Sequence, residues 1–393
     1  MLLLRILAYF IPFGINFLNG GFFFITAHRF AAENCSRVVV ASAITAWGVA
    51  YCLTTALSGR LIKSSNALKF ILTGGILLTL TSLGFIIFDG LYTQFLWLGL
   101  SGIGAALFCT PFQLFAKSVE SGSRKSPGTV RATSFYTLTW SLGFASGPLA
   151  FARLNNRNGF LVTLILALLV TLSVVMIAVM TRKNRMENRT ETIEQKEEKN
   201  LLFPAKTYTR LAVLGWIVGG LGTITVSQIR TMWPKLGEEL AISRDHIAYV
   251  LALVSYVQAF TALSLCKSRS WMWKRFPAIL MSAAGIGGLM IFTFCGNLLL
   301  FYFGALLFGI YSGCLYFYLV YHSLAHPERS GFFVAGNEVI VGITSMLAPL
   351  AGGFLADIFQ FTGTAFIFAA VITFIALLAQ LTMLVPAKLA KEE

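Results

Sequence analysis

The segment TRKNRMENRTETIEQKEEKNLLFPAKTYTR, residues 181–210, is the only long polar stretch in an otherwise apolar chain. It mixes charges of both signs, holds one proline (Pro204) and few aromatic residues, which is the composition of a solvated linker. Six apolar runs precede it and six follow. Residues 182–208 therefore read as a charged linker on the cytoplasmic side, between an N-terminal unit, 1–181, and a C-terminal unit, 209–393. A passive tether is the simplest reading, and a docking site for a regulator is the alternative.

Working outward, 393 residues of which 57% are hydrophobic and only 12% charged exclude an ordinary soluble protein. Mean hydropathy is +0.77. Apolar runs of 19 or more residues recur, each long enough to cross a bilayer as a helix. A β-barrel would instead show short alternating segments. The six cysteines at 35, 52, 109, 266, 295 and 314 form no CxxC pair and no metal-ligand spacing. The apolar N-terminus exceeds a signal-peptide core and no small-residue cleavage site follows it, so it reads as an uncleaved helix.

Twelve helices are expected, over 2–27, 38–60, 68–88, 92–116, 130–152 and 159–181, then 209–229, 246–266, 277–295, 298–322, 332–356 and 363–386. With the N-terminus inside, interior segments carry 23 of the Lys and Arg residues and exterior segments seven, among them Arg29, Arg37, Arg230, Lys235 and Arg244. That asymmetry puts both termini in the cytoplasm and explains the net charge of +14 as topogenic, with no nucleic-acid partner. Asp89 and Asp357 fall at exterior helix ends and read as solvated.

Landmarks of the first unit recur in the second, roughly 200 residues later. Gly21 and Arg29 are echoed by Gly222 and Arg230, Ser36-Arg37 by Ser243-Arg244, Leu61-Ile62-Lys63-Ser64 by Leu265-Cys266-Lys267-Ser268, and Pro148 by Pro349. The expected fold is an all-α integral membrane protein, twelve transmembrane helices in two pseudo-symmetric six-helix bundles.

The fifth helix carries Gly143-Phe-Ala-Ser-Gly147-Pro148, and the eleventh carries Pro349-Leu-Ala-Gly352-Gly353. These resemble the helix-5 antiporter motif GxxxGPxxGG of the major facilitator superfamily (MFS), and with the repeat the resemblance covers the whole chain. It implies gating roles for Gly143, Gly147, Pro148, Pro349, Gly352 and Gly353. Small residues let helices approach closely and proline loosens the backbone where a helix bends, although a plain packing face fits either motif alone. Two departures stand out. The superfamily's loop after helix 2 resembles G-x-x-x-D-R-x-G-R, whereas here Lys63 stands where the Asp belongs, and Lys267 repeats the change. Leu98 stands where helix 4 often has an Arg before a Gly-x-Gly.

Ionisable side chains within a bilayer are costly and point to function. Glu338 lies six residues past Phe332, roughly 9 Å into its helix at the α-helical rise. A carboxyl there suits a proton carrier or a cation contact, or else braces its helix. Helices that line the cavity in the resembled fold hold polar and aromatic candidates for substrate contact. Asn16 and Asn19 share a face, as do Tyr136 and Trp140; Gln228, Gln258, Tyr311, Tyr318 and Asn337 complete the set, with Tyr316 on a different face. Each taken singly also serves as a packing or interhelical hydrogen-bonding residue.

His322 and His326 lie four apart, but no HExxH or companion carboxylate makes a metal site. No P-loop and no catalytic constellation appear, so neither ATP nor any other cofactor is expected, and no enzyme activity. The reading is a secondary transporter in a bacterial inner membrane, acting as a monomer on a small-molecule substrate. The resemblance favours export in exchange for protons, with Glu338 coupling. Uptake or facilitated diffusion of a polar metabolite is the alternative, as is a transporter-like sensor or scaffold without flux.

Overall fold

Every apolar run of the sequence forms a helix in the computed structural model, which describes residues 2–59, 61–62, 65–120, 128–187, 205–267, 270–327 and 329–383. In chain order these are α1 (Leu2–Ala32), α2 (Arg37–Ser58), α3 (Ala67–Ile87), α4 (Thr93–Glu120), α5 (Gly128–Arg153) and α6 (Asn156–Glu187). There follow α7 (Ala205–Glu239), α8 (Arg244–Ser264), α9 (Arg275–Phe294), α10 (Leu298–Leu324), α11 (Ser330–Ile358) and α12 (Thr364–Met383), with two short 3₁₀ turns between α8 and α9. The core of the polar segment, 188–204, lies outside the described residues, as do Arg60, Lys63, Ser64 and Ser268 of the altered loops.

Burial is arranged for a lipid solvent. Leu53, Leu57, Leu168, Leu172, Phe303 and Phe374 point outward, while Ser101, Gln113, Thr133, Thr137 and Ser312 are buried. Hydrocarbon offers a polar group no partner, so polar side chains turn inward and leucines outward. Eleven of the twelve helices are long and apolar enough to cross a membrane. The exception is α5, whose Thr133, Ser134, Thr137 and Ser141 are all buried against protein.

Packing repeats itself six helices on. α1 packs on α5 and α6, α2 and α3 on α4, and α3 on α6; α7 packs on α11 and α12, α8 and α9 on α10, and α9 on α12. The first six helices meet the last six chiefly where α2 lies against α11 and α5 against α8. Small residues make these approaches possible: a Cβ at Gly342 of α11 would stand 2.7 Å from Cys52 Cα of α2.

The turns after α1 and α7 match atom for atom. Asn34 and Ala241 both take left-handed φ, at 56° and 52°. In each turn two backbone bonds close a Schellman motif, Asn34 N to Ala31 O and Cys35 N to Phe30 O, both at 3.0 Å, and Ala241 N to Glu238 O at 3.0 Å and Ile242 N to Gly237 O at 2.8 Å. This register pairs Arg29 with Leu236, Arg230 with Phe23 and Gly21 with Gln228, so the expected echoes of Gly21 by Gly222 and of Arg29 by Arg230 are corrected. α1 continues past the expected stop at 27 to Ala32, and α7 past 229 to Glu239. The polar residues beyond those points find partners within the protein: His28 Nε2 lies 3.0 Å from Glu238 Oε1, and Arg29 pairs with Asp89. Arg230, expected in an exterior segment, lies nine residues before the end of α7 and therefore about 13 Å inside it.

Candidate functional site

Between the two groups of six lies a cavity. Its walls come from α1, α2, α4, α5, α7, α10 and α11, while α3, α6, α8, α9 and α12 contribute no residue to it. Asn16 and Asn19 of α1, Tyr136 and Trp140 of α5, and Asn337 and Glu338 of α11 all line it. The remaining expected contacts do not. Gln228 donates to the Ala348 carbonyl at 2.5 Å, and Gln258 to Ser141 Oγ at 2.6 Å. Tyr311 and Tyr318 line a separate, smaller cavity with Met281, Ser282 and Gln380. On α10 it is Tyr316, on the other face, that reaches the centre, beside Leu319 and Val320.

Glu338 is buried and held from across the bundle. The Tyr51 hydroxyl of α2 donates to Oε2, Gln113 Nε2 of α4 donates to Oε1 at 2.5 Å, and Asn337 Nδ2 stands 3.5 Å from Oε1. Such bonds are strongest when the carboxyl is ionised. Tyr51 in turn stacks on Trp47, with ring centroids 4.5 Å apart. Arg230 projects into the same space with its guanidinium carbon 3.9 Å from the centre of the Phe144 ring. Neither partner of Glu338, nor Trp47, Phe144, Tyr316 or Arg230, stands out in the sequence as a site residue. Arg230 alone left a signal there: Thr223, Ser227 and Arg230 are spaced four and three apart and share one helical face.

At the end where α1 turns into α2, polar contacts close the two groups over the cavity. Arg37 Nη2 lies 2.9 Å from Glu239 Oε1, and Nη1 lies 3.6 Å from Asp357 Oδ1. The backbone N–H groups of Arg37 and Val38 donate to the Asp357 carboxylate at 3.1 Å, so Asp357 caps the N-terminus of α2 and is not simply solvated. Asp89 is exposed, as expected, and also pairs with Arg29. Arg244, the repeat of Arg37, donates to the Phe151 carbonyl at 2.5 Å and to Asn156 Oδ1 at 3.1 Å.

The motif glycines divide among different helix pairs. Gly143 and Gly147 sit against α1, where added Cβ atoms would lie 2.8 Å from Phe13 C and 2.9 Å from Gly20 C. Gly352 faces Gln228 of α7, and Gly353 faces α2, 2.9 Å from the Arg37 carbonyl. Pro148 and Pro349 are buried within their helices. His322 and His326 diverge: His322 is buried beside Tyr318 and Trp273, and His326 Nε2 lies 3.1 Å from Thr209 Oγ1.

A twelve-helix membrane bundle with a central amphipathic cavity has the architecture of a transporter. The sequence profile of the Major Facilitator Superfamily matches residues 7–329, and the chain belongs to that superfamily. It is an integral membrane transporter and not an enzyme. Among solved structures it is similar to the crystal structure of nucleoside transporter NupG, at 12% identity and a TM-score of 0.62, over 97% of this chain and 98% of that one. No curated protein matches the sequence.

Proposed function

We propose that this transporter carries a small organic solute through the central cavity by alternating access, exporting it in exchange for protons. Residues 1–181 and 209–393 rock as two bodies, Asn16, Asn19, Tyr136, Trp140 and Asn337 contact the solute, and Glu338 carries the proton. The observation behind this reading is the Glu338 network: one carboxyl on α11 accepts hydrogen bonds from Tyr51 of α2 and Gln113 of α4. Ionised, the carboxylate draws both donors toward it across the interface between the groups. Protonated, it loses acceptor capacity and the pair of bonds weakens, so proton occupancy and relative position are linked. The charge asymmetry of the loops supports cytoplasmic termini in a bacterial inner membrane, and the cavity is complete within one chain, in keeping with a monomer.

The test is solute movement in proteoliposomes, run as counterflow without a gradient and as accumulation driven by an imposed pH gradient. Glu338→Gln keeps the side-chain volume and removes the titration. The expected result is counterflow within about threefold of wild type, with gradient-driven accumulation reduced by about tenfold or more. Equal loss of both assigns Glu338 to structure or solute binding. Retention of both takes the proton off Glu338, and a wild type that shows counterflow without gradient-driven accumulation is a facilitator.

A further inference from the structure

We infer that the solute is an organic anion, an aromatic or otherwise flat apolar body carrying a carboxylate, and that Arg230 receives the charged group. This deepens the transporter reading above and rests on it. Two charged side chains line the cavity, Arg230 and Glu338. Glu338 is already supplied with donors by Tyr51 and Gln113. Among the described residues the ion pairs of arginine side chains involve Arg29 and Arg37, and none involves Arg230. Its protein contacts are the face of Phe144 and the Tyr316 hydroxyl, which accepts from it. A guanidinium presents five N–H donors, and an aromatic face and one hydroxyl leave most of them unused.

The surroundings select the rest of the ligand. Phe23 packs edge-on against Phe144 and Trp47, with centroids 5.9 and 5.3 Å apart, and Trp140 meets Tyr316 at 4.8 Å. Rings therefore flank the arginine on both sides of the bundle, from α1, α2 and α5 on one and α10 on the other. Asn19 and Asn337 are almost fully buried, and their Oδ1 atoms have no protein partner. Buried polar atoms are normally satisfied, so these two acceptors mark a wall built around a hydrogen-bond donor elsewhere on the ligand, not around its carboxylate. A neutral amphiphile leaves the Arg230 charge uncompensated in this low-dielectric site, and a cation meets repulsion there. An anion gains a charge-assisted, two-pronged contact.

The experiment compares charge classes on matched rings with detergent-purified protein: 3-phenylpropionate and 2-naphthoate, their amides, and the amines 3-phenylpropylamine and 2-naphthylmethylamine. Binding is read by calorimetry and thermal shift. Wild type is expected to bind a carboxylate about tenfold or more tightly than its amide, the amine being weakest. Arg230→Gln is expected to erase that preference, and Arg230→Lys to keep part of it as a point charge. The wild-type ranking needs no variant, so misfolding of a mutant does not blunt the test. A panel in which no carboxylate binds, in which carboxylate and amide bind equally, or in which amines win overturns the anion assignment. Counterflow of whichever compounds bind separates this from the underlying reading. Neutral or cationic compounds carried equally by wild type and Arg230→Gln overturn the anion and leave transport standing. Carboxylates that bind wild type but never cross a liposome membrane overturn transport and leave the anion site standing.

Discussion

At the scale of single residues, the chemistry of the cavity is set by which polar groups are satisfied within the protein. The Tyr51 bond to Glu338 joins residues far apart in the chain, so removing it tests the cross-bundle link directly. Tyr51→Phe is expected to destabilise the protein by about 1–3 kcal/mol, because a buried carboxyl oxygen loses its donor. In a Glu338→Gln background the same change is expected to cost less, giving a coupling energy of about 1–2 kcal/mol in a double-mutant cycle on unfolding midpoints. Additive effects sever the link and leave Tyr51 as a packing residue beneath Trp47. Glu338 was legible in the sequence because a lone carboxylate in a long apolar run has no solvated explanation. Its partners were not, since a tyrosine and a glutamine inside helices look the same whether they face lipid, a neighbour or a carboxylate. Arg230 was hidden by company: Pro234, Lys235, Glu238 and Glu239 follow it closely and make the whole stretch resemble a loop.

At the scale of elements, the existence of the helices follows from hydropathy, whereas their ends depend on pairing across the bundle. Arg29 extends its helix instead of ending it because it is paired with Asp89, and His28 and Glu238 lie within 3.0 Å of each other between α1 and α7. The repeated Ser-Arg pair, legible as a sequence echo, acquires a role from its position. Arg37 at the start of α2 reaches α7 and α11, and Arg244 at the start of α8 reaches the junction of α5 and α6. These two arginines close one end of the cavity in symmetric fashion. Partly exposed pairs of this kind contribute about 1 kcal/mol each, so Arg37→Ala or Arg244→Ala is expected to raise the open population at this end about three- to tenfold. Cys109 lines the cavity and supplies the reporter. In a background where the other five cysteines are replaced, a membrane-impermeant thiol reagent is expected to label Cys109 faster in either variant by that factor. Unchanged labelling from both faces of the membrane reduces the arginines to helix-end neutralisation.

At the scale of the whole molecule, the duplication was visible in the recurring landmarks, and the contact between the repeated groups was not. α2 against α11 and α5 against α8 join apolar, glycine-bearing surfaces that carry no mark of their partner in sequence. The register also slipped, because the eye pairs arginines while the backbone pairs turns: Asn34 with Ala241, hence Phe23 with Arg230. The corrected register has a mechanical consequence. α2 meets α11 near both of its ends. A Cβ on Gly353 would lie 2.9 Å from Ala41 Cβ at the Arg37 end, and one on Gly59 would lie 3.2 Å from Ala335 Cβ at the other. On the rocking reading proposed above, the two groups part at one of these places in each half of the cycle. Disulfides form at Cβ separations of about 3.5–4.5 Å, so small adjustments admit cysteine pairs at both positions. In a background lacking the native cysteines, oxidised Ala41→Cys/Gly353→Cys and oxidised Gly59→Cys/Ala335→Cys are each expected to cut counterflow about tenfold or more, with recovery on reduction. The control lies within the first group, where a Cβ on Gly102 of α4 would stand 3.2 Å from Ala50 Cβ of α2. A disulfide there travels with one body and is expected to leave flux within about twofold of the reduced protein. Flux that survives quantitative cross-linking at both ends of α2 and α11 rules out rocking about this interface, and solute passage then requires bending within the helices themselves, at Pro148 and Pro349.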